Sequence, residues 1–152
     1  FKAIMAVFSV NRRATFDYEI LESYEAGIQL FGFEVKSVKS GRTNLAGSFV
    51  VIKNNEATLL NADIPPYQAK NTPAGYDSTR SRKLLLHKSE IRALIGKSAQ
   101  KGLTLVPLRI YTKGQRIKLE FGLARHKKKY DKREKIMERE DKRKINRALK
   151  SE

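Results

Sequence analysis

The sequence predicts a mainly β fold with helices: a closed barrel of about six strands and two or three helices, then a basic tail without fixed structure of its own. Three observations predict it. Short runs of alternating apolar and polar residues recur between turn signals, as half-buried strands require. One clear amphipathic helix sits between the early and the late strands. The last 28 residues carry 13 basic and 6 acidic side chains and almost no core formers, too little apolar surface to fold alone. Residues 1–124 are thus the expected folded domain, and 125–152 the tail.

The apolar start, Phe1 to Val10, raises the question of a targeting segment. It is short and has one Lys, and Asn11-Arg12-Arg13 follows without a small-residue cleavage site, so it reads better as a first strand or arm. Met5 is the expected natural start, with Phe1–Ile4 the end of a leader. Phe16, Tyr18 and Ile20 alternate with Asp17, Glu19 and Leu21, which predicts a strand. Residues 32–41 are bracketed by glycines and predict a helix of about two turns. Ser48 to Ile52 and Ala57 to Leu60 are strands joined by a turn at Asn54-Asn55. Pro65-Pro66 and the stretch Asn71 to Thr79 predict a long irregular surface loop.

The clearest helix runs from about His87 to Lys101, with Ile91, Leu94, Ile95 and Ala99 on one face, Ser89 as cap and Gly102 after its end. Leu103 to Tyr111 is a strand whose Pro107 implies a bulge or an edge. After the turn at Lys113-Gly114, Ile117, Leu119 and Phe121 alternate in a last strand. Closing such strands removes exposed edges, and OB-like barrels of this kind present strand faces and loops to nucleic acid.

Charge narrows the function. Thirty-two Lys and Arg oppose 16 Asp and Glu, for a net charge of +16 and a pI of about 10.2. Such a chain attracts polyanions, and RNA rewards many cations at once through counterion release. Absent cysteine excludes a disulfide framework and thiolate zinc sites. His87 and His126 lack partners at ligand spacing, and no phosphate-binding loop or nucleophile motif occurs, so no cofactor, no metal and no enzyme activity are expected. Convergence of Asp17, Glu25 and Glu34 on Mg²⁺, as in a nuclease, is the enzymatic alternative. A structural ribosomal protein is the alternative among RNA binders.

The RNA-binding candidates are few. Asn11, Arg12 and Arg13 stand beside Phe16 and Tyr18, offering an amide, cations and stacking rings, although at least one of the two rings is expected in the core. Arg80, Arg82 and Lys83 precede Leu84-Leu85-Leu86, where alternation buries at least one leucine and turns another outward, against a base or sugar. Glu25 is an acid in a cationic field, suited to accept hydrogen bonds from a base edge.

Four blocks carry a resemblance: NRRATFDYEILESYEAGIQLFGFEVKSVKSGRTNL (Asn11–Leu45), STRSRKLLLHKSEIRALIGK (Ser78–Lys97), KGLTLVPLRIY (Lys101–Tyr111) and KKKYDKRE (Lys127–Glu134). In this order and with these separations, the chain resembles the small protein B family, the tmRNA-binding (SsrA-binding) proteins of bacterial ribosome rescue. The resemblance implies an OB-like body that grips the tRNA-like domain of tmRNA. Asn11, Glu25 and Leu85 would set specificity, and Arg12, Arg13, Arg80, Arg82 and Lys83 would hold phosphates. It implies a tail that enters the empty mRNA channel of a stalled ribosome and becomes helical against small-subunit rRNA. There Lys127, Lys128, Lys129, Tyr130, Asp131, Lys132 and Arg133 would meet the channel and the decoding centre. Elongation factor Tu would be met only indirectly, through charged tmRNA. The protein would be monomeric, off membranes, and cytoplasmic in a bacterium or in an organelle of bacterial descent. The chain departs from the family pattern at Thr15-Phe16, usually Arg-His, at Ser78, usually Pro, and at His126, usually Gly.

Overall fold

The computed structural model describes the backbone of residues 4–127 and 129–150, and the side chains of 6–127, 133 and 136–149. In chain order the elements are β1 (Ile4–Val10), α1 (Arg12–Asp17), β2 (Tyr18–Ile28), α2 (Gly32–Lys39), β3 (Phe49–Lys53), β4 (Glu56–Leu60), β5 (Arg82–Leu85), α3 (Lys88–Ser98), β6 (Leu103–Lys113), β7 (Arg116–His126) and α4 (Lys129–Lys150). The expected first strand is present as β1, and β5 brings the total among the described residues to seven strands rather than six.

All strand pairs are antiparallel, in the order β1-β6-β3-β4-β5-β2-β7, and β7 pairs back onto β6. The pairings therefore run in a circuit. Its lightest links are the single pair Val50–Leu105 between β3 and β6, and the two pairs Gly27–Leu85 and Ile28–Leu84 between β2 and β5. The register of β6 slips between Pro107 and Arg109, where proline has no N–H to donate. Before the slip β6 meets β3, and after it β1 pairs with Arg109 to Lys113. One bulge thus lets a strand serve two neighbours along the same edge.

Leu59, Leu84, Leu94, Leu105, Ile110, Leu119 and Phe121 fill the interior. The hairpin turn falls at Asn54-Asn55 as expected, with φ of 52° and 60°, left-handed values that asparagine tolerates well. Helix α3 differs from its expected form. His87 is its N-cap instead of Ser89, with Glu90 Oε1 accepting from the His87 amide at 3.2 Å. The helix ends at Ser98, so only Ile91 and Leu94 are buried, while Ile95 and Ala99 face outward.

One other expectation is corrected. The strand expected to begin at Phe16 begins at Tyr18, because Asn11 starts a short helix first: its Oδ1 accepts from the Ala14 amide at 3.2 Å. An N-cap outranks an alternation with only three apolar positions on its face. The tail, expected to be without fixed structure when free and helical on the ribosome, is described as the single helix α4. Glu138–Lys142 and Glu140–Lys144, acid before base at i,i+4, favour it, and the Arg139 guanidinium lies 5.4 Å from the centroid of the Phe16 ring on α1. Strand β7 also runs on to His126, two residues past the expected edge of the body.

Candidate nucleic-acid interface

Alternation along β5 builds the site. Arg82 and Leu84 point inward, and Lys83 and Leu85 point outward. Leu84 is core, Leu86 packs partly against the core, and Leu85 stays 55% exposed, so the triple leucine splits as expected. An open groove of about 1090 Å³ runs beside β5, lined among others by Glu25, Gly27, Lys83, Leu85, Arg116 and Lys118. Leu85 lies across Gly27 of β2, where a β-carbon would come within 3.2 Å of the Leu85 Cβ. Glycine at 27 lets an apolar side chain lie flat on the strand and form the groove floor. Lys83 stands at its wall with Nζ 3.6 Å from Glu56.

Glu25 is one of three acids lining the groove, with Glu56 and Glu90, beside Lys83, Lys88, Arg116 and Lys118. Its carboxylate accepts from the Tyr111 hydroxyl and from Lys113 Nζ at 3.3 Å. The Tyr111 bond holds the Glu25 carboxyl below the usual carboxylate range; partial burial opposes this, while Lys113 and Lys118 reinforce it. Burial, with the neighbouring Glu25 charge, pushes the Tyr111 hydroxyl upward in turn. A charged, aimed acceptor in the groove can take N–H or O–H donors from a nucleotide.

The remaining candidates lie elsewhere. Arg82 is fully buried and donates to Glu34 Oε2 at 2.9 Å, to the Ala62 and Ser78 carbonyls at 2.8 and 2.9 Å, and to the Tyr76 hydroxyl at 3.0 Å. It fastens β5 to the 65–79 loop and α2, which corrects its expected role as a phosphate contact. Arg80 also binds Glu34, with Nε at 3.1 Å, and its guanidinium covers the Phe31 ring at 4.2 Å. Burial of Glu34 would raise its pKa, but Arg80, the Phe31 amide and Arg82 outweigh it and leave the carboxyl lowered. Tyr76, in the same cluster, is pushed up to about 12 by burial and by Glu34.

Asn11 is likewise corrected from a surface contact to a structural one. It is 6% exposed, and its amide nitrogen donates to the Pro107 and Leu45 carbonyls at 2.9 and 3.3 Å. Arg12 and Arg13 are exposed on α1; Arg13 sits 3.5 Å from Asp17 and lines a second groove with Tyr18 and Phe49. Asp17, Glu25 and Glu34 therefore have different partners and do not converge, and no group of three or more His, Cys, Asp or Glu able to hold a metal occurs among the described residues. Lys127 bonds back to α1, its amide to the Asp17 carbonyl and its Nζ to the Thr15 carbonyl, each at 2.9 Å. Lys128 and the side chains of Lys129, Tyr130, Asp131 and Lys132 lie outside the described residues, and Arg133 is exposed.

Sequence reasoning passed over Glu34 as a structural anchor and Tyr111 as a partner of Glu25. The first was signalled by Arg82 itself: alternation puts it on the buried face of Leu84, and a buried guanidinium needs a carboxylate.

Residues 8–151 match the model of the SmpB protein family. The chain belongs to the SmpB family. Among its relatives are the SsrA-binding proteins of Thermosynechococcus vestitus, 54% identical over 95% of each chain, and of Trichodesmium erythraeum, 54% identical over 95% of this chain and 92% of that one. A solved structure reported as "tmRNA-SmpB: a journey to the center of the bacterial ribosome" matches 86% of this chain and 95% of its own, with a TM-score of 0.68 and 50% identity. SmpB membership accounts for the body and the tail together, since the match runs from the end of β1 through α4.

Proposed function

We propose that this protein binds the tRNA-like domain of tmRNA and delivers it to stalled ribosomes for trans-translation, acting as an RNA-binding protein of the cytoplasm and not as an enzyme. The observation that carries the reading is the likeness, at 50% identity, to the solved tmRNA–SmpB structure. The groove of Glu25, Lys83 and Leu85 supports it, because a cation, an ionised acceptor and an exposed apolar side chain are the three contacts an unstacked nucleotide can use.

The body takes the RNA in this groove, with Arg12 and Arg13 on α1 meeting phosphates. Arg80 and Arg82 act from behind by holding β5 in place. The tail, from Lys127 through Tyr130, Asp131, Lys132 and Arg133, follows the empty mRNA channel to the decoding centre on the small subunit. Recovery of bound RNA from the native protein, followed by sequencing, tests this: tmRNA should be the enriched species. Bulk rRNA fragments without tmRNA would overturn it.

A further inference from the structure

The groove of Glu25 has an inner member that makes no outward contact of its own. Tyr111 is 1% exposed on β6, and β7 separates its strand from that of Glu25. A tyrosine side chain this deep needs a partner for its hydroxyl, and the partner is the Glu25 carboxylate. The other charged groups facing Glu25 are Lys113 at 3.3 Å, Lys118 on β7, and Glu120, its partner in register, which Arg109 engages at 3.0 Å. Arg109 also lies over the Tyr111 ring, 5.0 Å from its centroid. The ring is thus locked, while the two lysines are half-buried chains on flexible stems. A locked donor fixes the direction of a carboxylate better than a mobile ammonium does.

We propose that Tyr111 is a positioning residue for RNA recognition: its buried hydroxyl fixes the Glu25 carboxylate, so that the remaining lone pairs face a nucleotide donor in the groove. The inference rests on Glu25 meeting RNA, as in the proposed function. The orienting bond leaves a carboxylate with several acceptor positions, enough for a base amino group or a ribose hydroxyl.

The test is affinity for a transcript of the tRNA-like domain, measured from about pH 4 to pH 7 for the full chain and for Tyr111→Phe, Glu25→Gln and the double variant. Phenylalanine keeps the ring and loses only the hydroxyl, and thermal unfolding should confirm an intact fold. Tyr111→Phe should weaken binding about tenfold near neutral pH, the scale of one hydrogen bond to a charged group. Its affinity should also fall at a higher pH on acidification than the parent's, because the Glu25 carboxyl loses the bond that lowers its pKa. The double variant should bind no more weakly than Glu25→Gln alone. If Glu25→Gln weakens binding while Tyr111→Phe matches the parent in affinity and acid limb, the positioning role is wrong. If Glu25→Gln binds like the parent, the reading of Glu25 itself is overturned.

Discussion

A single buried carboxylate organises the side of the fold that carries β5. Glu34 receives two guanidinium groups, one of them from the fully buried Arg82. Removing one partner of such a cluster leaves an uncompensated buried charge, so Glu34→Ala should cost roughly 3–5 kcal/mol in denaturant unfolding. The sign of its pH dependence follows from its lowered pKa. Glu34 contributes stability above the ordinary carboxylate range, and loses it as pH falls through the depressed folded value. The stability gap between the parent and Glu34→Gln should therefore narrow below about pH 4. Gly27 sets a second condition at this scale. Gly27→Ala brings a β-carbon against Leu85 at 3.2 Å, and should weaken RNA binding while costing about 1–3 kcal/mol of stability at most.

At the scale of elements, local chemistry was legible wherever a signal was unique. The glycine-bracketed helix α2, the turn at Asn54-Asn55 and the bulge at Pro107 all lie where the residues imply. Asn55→Val should cost about 1–2 kcal/mol, because a β-branched residue resists the left-handed φ of 60° that asparagine holds there. Helix α1 was illegible because Phe16 and Tyr18 fit a strand equally well, and the decision fell to the Asn11 cap. The Arg82–Glu34 pairing spans 48 positions, beyond the reach of any local periodicity, although the inward face of Arg82 was readable. The tail carries two signals at once: its composition is that of a disordered segment, while its charge spacing is that of a helix. Phe16→Ala, which removes the ring beneath Arg139, should speed amide exchange along α4 without altering the strands.

For the whole molecule, a net charge of +16 makes RNA affinity a function of salt. Log affinity should fall linearly with log salt, and Lys83→Ala should reduce the slope by about 1 if Lys83 neutralises one phosphate. Charge alone would bind any RNA. In the proposed function, selectivity lies in the groove of Glu25 and Leu85, and ribosome engagement in the tail that begins after β7. Paired measurement of tmRNA affinity and of nascent-chain tagging for Leu85→Ala and Arg133→Ala tests that division most directly. Leu85→Ala should lose tmRNA affinity, and Arg133→Ala should keep it and lose tagging. Equal loss of RNA binding in the two variants would contradict the division of labour between body and tail.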